Sequence, residues 1–154
     1  MAIELKKQSY EKLIKQLIFL EENSGDITEA LLKDQLFASE IEIQKFLREY
    51  ANKVESVIAH VVIVNGAGDL SVIHQNLFPF VVIDSCFTLK DRSNNNYYCR
   101  LTPIPHENAV GISHNIYAFS LSGLRLLLRE KNDLCSVDLG GGYEEYLVNS
   151  IRLY

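Results

Sequence analysis

The chain has little with which to cross a membrane, hold a resident metal or survive in an oxidising compartment. No apolar run among its 154 residues approaches the roughly 20 needed to span a bilayer. The opening Met1-Ala2-Ile3-Glu4-Leu5-Lys6-Lys7 lacks the apolar stretch of a signal peptide, so a cytoplasmic location is expected. Cys86, Cys99 and Cys135 are odd in number, widely spaced and without a Cys-x-x-Cys pair; they read as buried reduced thiols. His60, His74, His106 and His114 show no ligand spacing with one another or with the cysteines, so no metal of the protein's own is expected. There is no basic excess either. Fifteen Lys and Arg face 20 Asp and Glu, a net charge of -5, which argues against duplex binding and sequence-specific nucleic-acid recognition. A protein surface of basic or mixed charge is the more natural partner.

What is present suffices for a core: 47% of residues are hydrophobic, which excludes wholesale disorder. The length fits one medium domain or two small ones. From Gln8 to Asn23, Leu13, Leu17 and Leu20 recur at helical spacing, flanked by Tyr10, Ile14 and Ile18. Asn23-Ser24-Gly25 breaks the pattern. Neither Pro nor Gly occurs between residues 26 and 65, so a long second helix is predicted from about Ile27 to about His60. Its apolar stripe runs through Leu36, Ile43, Leu47, Tyr50, Val54, Val57 and Val61 in heptad steps. Two helices across a tight break predict an antiparallel hairpin, a coiled coil. The lengths differ: the first helix would span about 22 Å and the second about 50 Å at about 1.5 Å per residue. The second must therefore bend, split near Lys33-Asp34, or bury part of its stripe elsewhere.

Asn65-Gly66-Ala67-Gly68-Asp69 reads as a linker, dividing a helical domain over 1–64 from a β-rich one over 65–154. Beyond it, a strand or bent pair is predicted over Phe78–Leu89, a polar turn over Lys90–Asn96, and a return strand over Tyr97–Ile104. A loop follows over Pro105–Ser113, then a strand over Asn115–Ser120 and a short helix over Leu121–Arg129. Leu134–Leu139 and Tyr143–Leu153 form a closing hairpin that pivots on Gly140-Gly141-Gly142. The glycine triple is not a phosphate loop, since no Lys-Ser/Thr follows and the next element is a strand. No Ser/His/Asp or Cys/His constellation can be argued from the residues.

The order from Ser120 to Tyr154 resembles the C-terminal domain of the bacterial transcript-cleavage factors GreA and GreB. Ser120, Gly123, Leu126, Leu127, Asp133, Gly141, Gly142, Glu145, Tyr146, Val148, Ile151 and Tyr154 fall on that family's pattern. Near the start, Tyr10-Glu11-Lys12-Leu13 and Gly25-Asp26-Ile27-Thr28-Glu29 are similar to its first arm and to the acidic tip of its helical hairpin. Asp84-Ser85-Cys86-Phe87-Thr88-Leu89 is similar to a strand of its second domain. The sequence departs at Leu121 and Gly140, where the family has prolines, at Asn132, where it has glycine, and in a shorter first arm.

The resemblance implies an α+β protein: an N-terminal antiparallel helical hairpin, then a small FKBP-like antiparallel β domain with one short helix. It implies RNA polymerase as partner, bound at the secondary channel by a monomer or weak dimer that is not itself an enzyme. It places Asp26 and Glu29 at the catalytic tip, where they would share Mg²⁺ with the polymerase and stimulate cleavage of backtracked RNA. Hard Mg²⁺ prefers carboxylate oxygens, so two carboxylates can complete a site that another protein half-builds. It assigns polymerase docking to Ser120, Leu121 and Arg125.

Alternatives stand beside each point. Asp26-x-x-Glu29 is also a capping box, with Asp26 accepting the Glu29 backbone N–H. A symmetric hairpin would put the tip at Lys33-Asp34-Gln35. Leu124, Leu126, Leu127 and Leu128 read as core, with Arg125 and Arg129 at a partner-facing edge. The chain could occupy the channel without cleavage, act as an FKBP-like prolyl isomerase, or assemble through the heptads of its second helix.

Overall fold

The computed structural model describes residues 3–64, 76–105 and 111–153. The chain divides into two compact units, Met1–Gln75 and Asn76–Tyr154. The predicted linker over 65–69 lies outside the described residues.

The first unit runs β1 (Ile3–Lys6), α1 (Lys7–Glu22), α2 (Ser24–Lys33), α3 (Glu40–Ile58) and β2 (Val61–Val64). Three helices thus stand where a hairpin of two was expected, and the predicted second helix is split near Lys33-Asp34. The split has a local cause. Gln35 takes a left-handed φ of 56°. Its N–H reaches the Leu32 carbonyl at 3.1 Å, and the Leu36 N–H reaches the Leu31 carbonyl at 3.2 Å. This pair of bonds is a Schellman ending, which satisfies the last carbonyls of α2 and turns the chain out of the helix. Ser39 then restarts it. Its Oγ accepts from the Glu42 N–H at 3.3 Å, and the Glu42 carboxylate accepts from the Ala38 N–H at 3.2 Å. Ser39 is thus the cap of α3, and Glu42 reaches back one residue beyond it, to Ala38, in a variant of the capping box.

Asp26 is not a helix cap. The helix α2 opens at Ser24, so Asp26 sits inside its first turn, where a carboxylate favours the positive end of the helix dipole. The predicted break at Asn23-Ser24-Gly25 is one residue wide. Asn23 ends α1, with its side-chain amide donating to the Phe19 carbonyl at 2.8 Å. Its own carbonyl accepts the first bond of α2, from the Ile27 N–H at 3.0 Å. Gly25 is not what makes the break, because a Cβ there would meet nothing within 4 Å.

The core of this unit holds Leu13, Leu20, Ile27, Leu31, Ile43, Tyr50 and Val54. The predicted stripe is thus real over 43–57, with Leu47 and Val57 half-buried. A polar contact crosses the core: the buried Tyr50 hydroxyl of α3 donates to Oε1 of the buried Gln16 of α1. The two strands were not predicted. They pair in parallel from Ile3↔Val61 to Lys6↔Val64 and bury Leu5 completely. Four residues each are too short for a period to show.

The second unit runs β3 (Ser85–Lys90), β4 (Asn96–Thr102), β5 (His114–Tyr117), α4 (Leu121–Leu126), β6 (Leu134–Asp138) and β7 (Tyr143–Leu153). The sheet order is β5-β4-β3-β7-β6. It is mixed rather than wholly antiparallel, since β4 and β5 run parallel. The architecture is α+β, and the closing hairpin has the predicted bounds within one residue. The predicted strand over Phe78–Leu89 is shorter. Ser85 Oγ donates to the Val82 carbonyl at 2.6 Å, and Asp84 takes a φ of 69°, so residues 82–85 turn. Val81, Val82 and Ile83 are all buried there, which is why the run had no alternation to read. Inside this unit the Arg100 guanidinium, 7% exposed, pairs with the Asp84 carboxylate.

Since Gly25 sits exposed in α2 with open space where a Cβ would go, Gly25→Ala should stabilise the protein by about 0.5–1 kcal/mol. Urea unfolding curves of the two proteins measure it.

Candidate functional site

The two acidic candidates lie on α2. Asp26 in its first turn and Glu29 three residues on share one helix face, and both are exposed. Asp34 is the last turn's neighbour, at the C-cap of α2. Among the described residues no group of three or more His, Cys, Asp or Glu is placed to hold a metal ion. Two carboxylates on one face can supply part of an oxygen shell, and Mg²⁺ needs six ligands. Alone, Asp26 and Glu29 would leave most of that shell to other ligands. His74 and His106 lie outside the described residues.

The docking candidates lie on and around α4. Ser120 is the helix cap: its Oγ accepts from the Gly123 N–H at 3.0 Å and donates to the Tyr117 carbonyl at 2.7 Å. Gly123 has no alternative. A Cβ on it would sit 2.1 Å from the Tyr117 carbonyl oxygen and 2.6 Å from that of Ala118. The helix is therefore pressed directly onto the backbone leaving β5. Ser122 ties its other side to the sheet, its Oγ accepting from the Asp138 N–H of β6 at 3.1 Å. Leu126 and Leu127 are core, as expected. Leu121 is 38% exposed and shares a helix face with Arg125, four residues on.

The helix ends at Leu126, three residues sooner than predicted. Leu128 takes a φ of 68°, which turns the chain so that the Leu128 N–H bonds the Val81 carbonyl at 2.8 Å and Val81 N–H bonds the Arg129 carbonyl at 2.9 Å. Arg129 nevertheless stays beside the helix, donating from Nε to the Arg125 carbonyl at 2.8 Å. The Arg125 guanidinium donates from Nη1 to the Ser136 carbonyl at 3.3 Å. It also lies 5.1 Å from the centre of the Tyr143 ring, within cation–π range. Ser136 and Tyr143 were not predicted as parts of this site. The only sequence signal was the hairpin itself, whose register pairs Asp138 with Tyr143.

Close by, the glycine turn behaves as predicted: Gly140 and Gly142 take φ of 116° and 99°, and the Asp138 carboxylate accepts from both of their N–H groups at 2.8 and 3.2 Å. An open groove of about 560 Å³ runs between this hairpin and the β3–β4 turn, lined by Asp91, Arg92, Ser93, Ser136, Tyr143, Glu144 and Glu145. The Asp91 carboxyl is held below its usual range by the Asn95 backbone N–H. Burial and then the Glu144 charge push the Tyr146 hydroxyl up to about 12. Burial pushes the Cys99 thiol up to about 12 as well and raises that of Cys135.

No protein-family model matches the chain, and the comparison with curated proteins returns no match. Solved structures that it is similar to include a transcription elongation factor of the Gre kind and GreA factor homologues. GreA factor homolog 1 (Gfh1) of Thermus thermophilus is 21% identical, with 99% of each chain covered and a TM-score of 0.43. Thermus aquaticus Gfh1 is 20% identical over 98% of each chain, at 0.41. The prokaryotic transcription elongation factor GreA/GreB from Nitrosomonas europaea is 17% identical over 99% of each chain, at 0.43. The chain is thus similar along nearly its whole length to GreA/GreB-like proteins, from which it diverges widely in sequence.

Three outcomes follow. Gly123→Ala should cost about 3 kcal/mol, the upper range for overpacking, because both opposing atoms are backbone. Ser120→Ala should cost about 1 kcal/mol, the worth of an N-cap; chemical denaturation ranks the two. At pH 8 a thiol reagent should label the half-buried Cys86 first, and Cys99 and Cys135 only on unfolding. Raised pKa values keep both protonated there, and the thiolate is the reactive form.

Proposed function

We propose that this chain is a Gre-type factor that binds bacterial RNA polymerase at its secondary channel and occupies the entrance without stimulating transcript cleavage. What carries the polymerase assignment is the residue order from Ser120 to Ile151, whose members have physical duties in one compact unit. Ser120 caps α4 and Gly123 lets it touch the backbone. Leu126, Leu127, Tyr146, Val148 and Ile151 fill the core. Asp133 accepts from the Glu130 N–H at 2.8 Å, and Gly142 closes the hairpin. A merely similar composition would not reproduce that set in sequence.

The absence of cleavage is supported by the helices. The longest, α3, has 19 residues and spans about 28 Å, and α1 with 16 residues spans about 24 Å. The Schellman ending at Gln35 interrupts the continuous second helix on which a long arm would depend. The second reading, cleavage through Asp26 and Glu29 with Mg²⁺ shared with the polymerase, draws on the exposure of both carboxylates on one face of α2. The assembly alternative is disfavoured because Ile43, Tyr50 and Val54 spend the α3 stripe inside their own unit; a monomer is the proposed state. A prolyl isomerase would need an apolar, aromatic-lined pocket, and the groove beside Tyr143 is lined chiefly by charged and hydroxyl side chains.

A backtracked elongation complex tests these readings together. The full chain should bind core polymerase and displace a channel-binding cleavage factor, with no Mg²⁺-dependent shortening of the RNA above that of polymerase alone. Shortening that disappears in Asp26→Asn, Glu29→Gln would establish the cleavage reading instead. Absence of any binding would remove the polymerase from the account.

A further inference from the structure

We propose that the first unit carries a self-complementary seam along α1, through which the free chain pairs reversibly with a second copy of itself in antiparallel alignment. The proposal does not depend on the polymerase reading. The monomer of that reading is the state at low concentration, and the contact uses α1 rather than the α3 stripe.

The helix α1 has two stripes, and only one is spent inside its own unit. Ser9, Leu13, Gln16 and Leu20 are buried. Tyr10, Ile14 and Leu17 on the flank are half-buried, and Ile18 beside them is 49% exposed. The flank continues in both directions into exposed charged residues. Lys7, Tyr10, Ile14, Leu17 and Glu21 follow one another in steps of three, four, three and four, which is the spacing of a helix-pairing seam. Its middle is apolar, and its two ends carry opposite charges.

The end charges indicate what lies against the seam. The helix α2 has Asp26 in its first turn and Lys33 in its last, and α3 has Glu40 and Glu42 in its first. Both follow the preference of a helix dipole for anions at the start and cations at the end. In α1 the order is inverted. No acid stands in its first turn and no base in its last; Lys7 opens it, and Glu21 and Glu22 close it. By itself, then, α1 is weakened by its own end charges. Among the described residues neither Lys7 nor Glu21 forms an ion pair. Glu11 and Lys15, also exposed, stand four apart in the order that suits offset within one helix.

An antiparallel second copy turns that cost into attraction. Ile14 is midway between Lys7 and Glu21. With a two-fold axis beside Ile14, the apolar middles of the two helices meet. Lys7 then comes opposite Glu21 of the second copy, at the negative end of its helix dipole, and the same pair forms at the other end of the contact. Such an interface is isologous and closes at two copies. Parallel pairing would instead set Lys7 on Lys7 and Glu21 on Glu21. One helix of 16 residues from each side makes a contact at the small end of the range for specific interfaces, so the pairing is weak.

Sedimentation equilibrium of the full chain tests this. At low salt the mass should rise from one copy towards two between about 10 µM and about 1 mM protein, and about 0.5 M salt should oppose the rise. Lys7→Glu and Glu21→Lys should each weaken pairing about tenfold, since each turns two weak attractions into two repulsions. An equimolar mixture of the two variants should pair at least as well as the parent, and the double variant should recover self-pairing. Both substitutions suit the helix dipole, so melting temperatures should hold or rise, which separates weaker pairing from unfolding. Ile18→Ser should weaken pairing several-fold. A mass of one copy over the whole range would overturn the proposal. A dimer indifferent to both charge substitutions would overturn the seam. Weakening by each substitution with no recovery in the mixture would overturn the pairing of Lys7 with Glu21. Polymerase binding is independent of all three outcomes.

Discussion

The second unit depends on the absence of a single side chain. At Gly123 the helix α4 lies so close to the carbonyls of Tyr117 and Ala118 that no Cβ fits. That contact fixes the height of the helix above the end of β5, and the rest of the region follows from it. Ser120 can then bond both its own helix and the strand it has just left. Ser122 reaches β6, and Leu126 drops into the core with no exposure. Arg125 is carried to the outer face, over the hairpin that ends in Tyr143. A helix of six residues is too short to be stable by itself; here its position is set by close packing and three bonds of the Ser120 and Ser122 hydroxyls.

The first unit is organised by how its helices stop. A residue-by-residue reading of breakers gives most weight to Gly25, yet glycine there is only permissive. The stronger instructions are chemical. Gln35 accepts a left-handed conformation that satisfies two carbonyls at once, and Ser39 with Glu42 satisfies the next helix start. Between them these residues divide what a heptad count reads as one helix. The stripe itself is indifferent to the division: Leu31 belongs to α2 and Ile43 to α3, and both are buried. The Tyr50–Gln16 bond adds a directional contact to a largely apolar core. A buried pair of this kind favours one alignment of α1 with α3 over its neighbours, because a slip would break the bond between two buried polar side chains.

Elements with a clear period or clear turn chemistry were legible in the sequence. The β6–β7 hairpin, the polar turn at Asp91, α1, and the body of α3 all lie where their residues put them. The helix start at Ser39 was not anticipated, because it falls inside a run that the heptad count reads as one helix. Other parts carried no readable signal. Strands β1 and β2 are four residues long and pair across almost the whole unit. The apolar run Val81–Ile83 is buried on every side and so has no alternation. The parallel pairing of β4 with β5 is a long-range choice that local pattern does not encode. At the candidate sites, sequence supplied Arg125 and Ser120, but not the Tyr143 ring and Ser136 carbonyl that hold the arginine, since both come from a hairpin more than ten residues away.

The two candidate sites differ in a way that bears on what each can do. Asp26 and Glu29 project from an exposed helix face, where their geometry is set by the helix alone. Such carboxylates are suited to joining a metal shell whose remaining ligands another protein fixes, and they gain function only if they are delivered to it. Arg125 is in the opposite condition. Its backbone belongs to a helix with no freedom of height, its guanidinium is bonded to a sheet carbonyl, and an aromatic ring lies against it. Recognition needs that preorganisation, because a flexible cation loses in side-chain entropy much of what it gains in attraction. Catalysis by a shared metal instead needs reach, which short helices limit. Of the two regions, only that around Arg125 is held in place by surrounding backbone and ring.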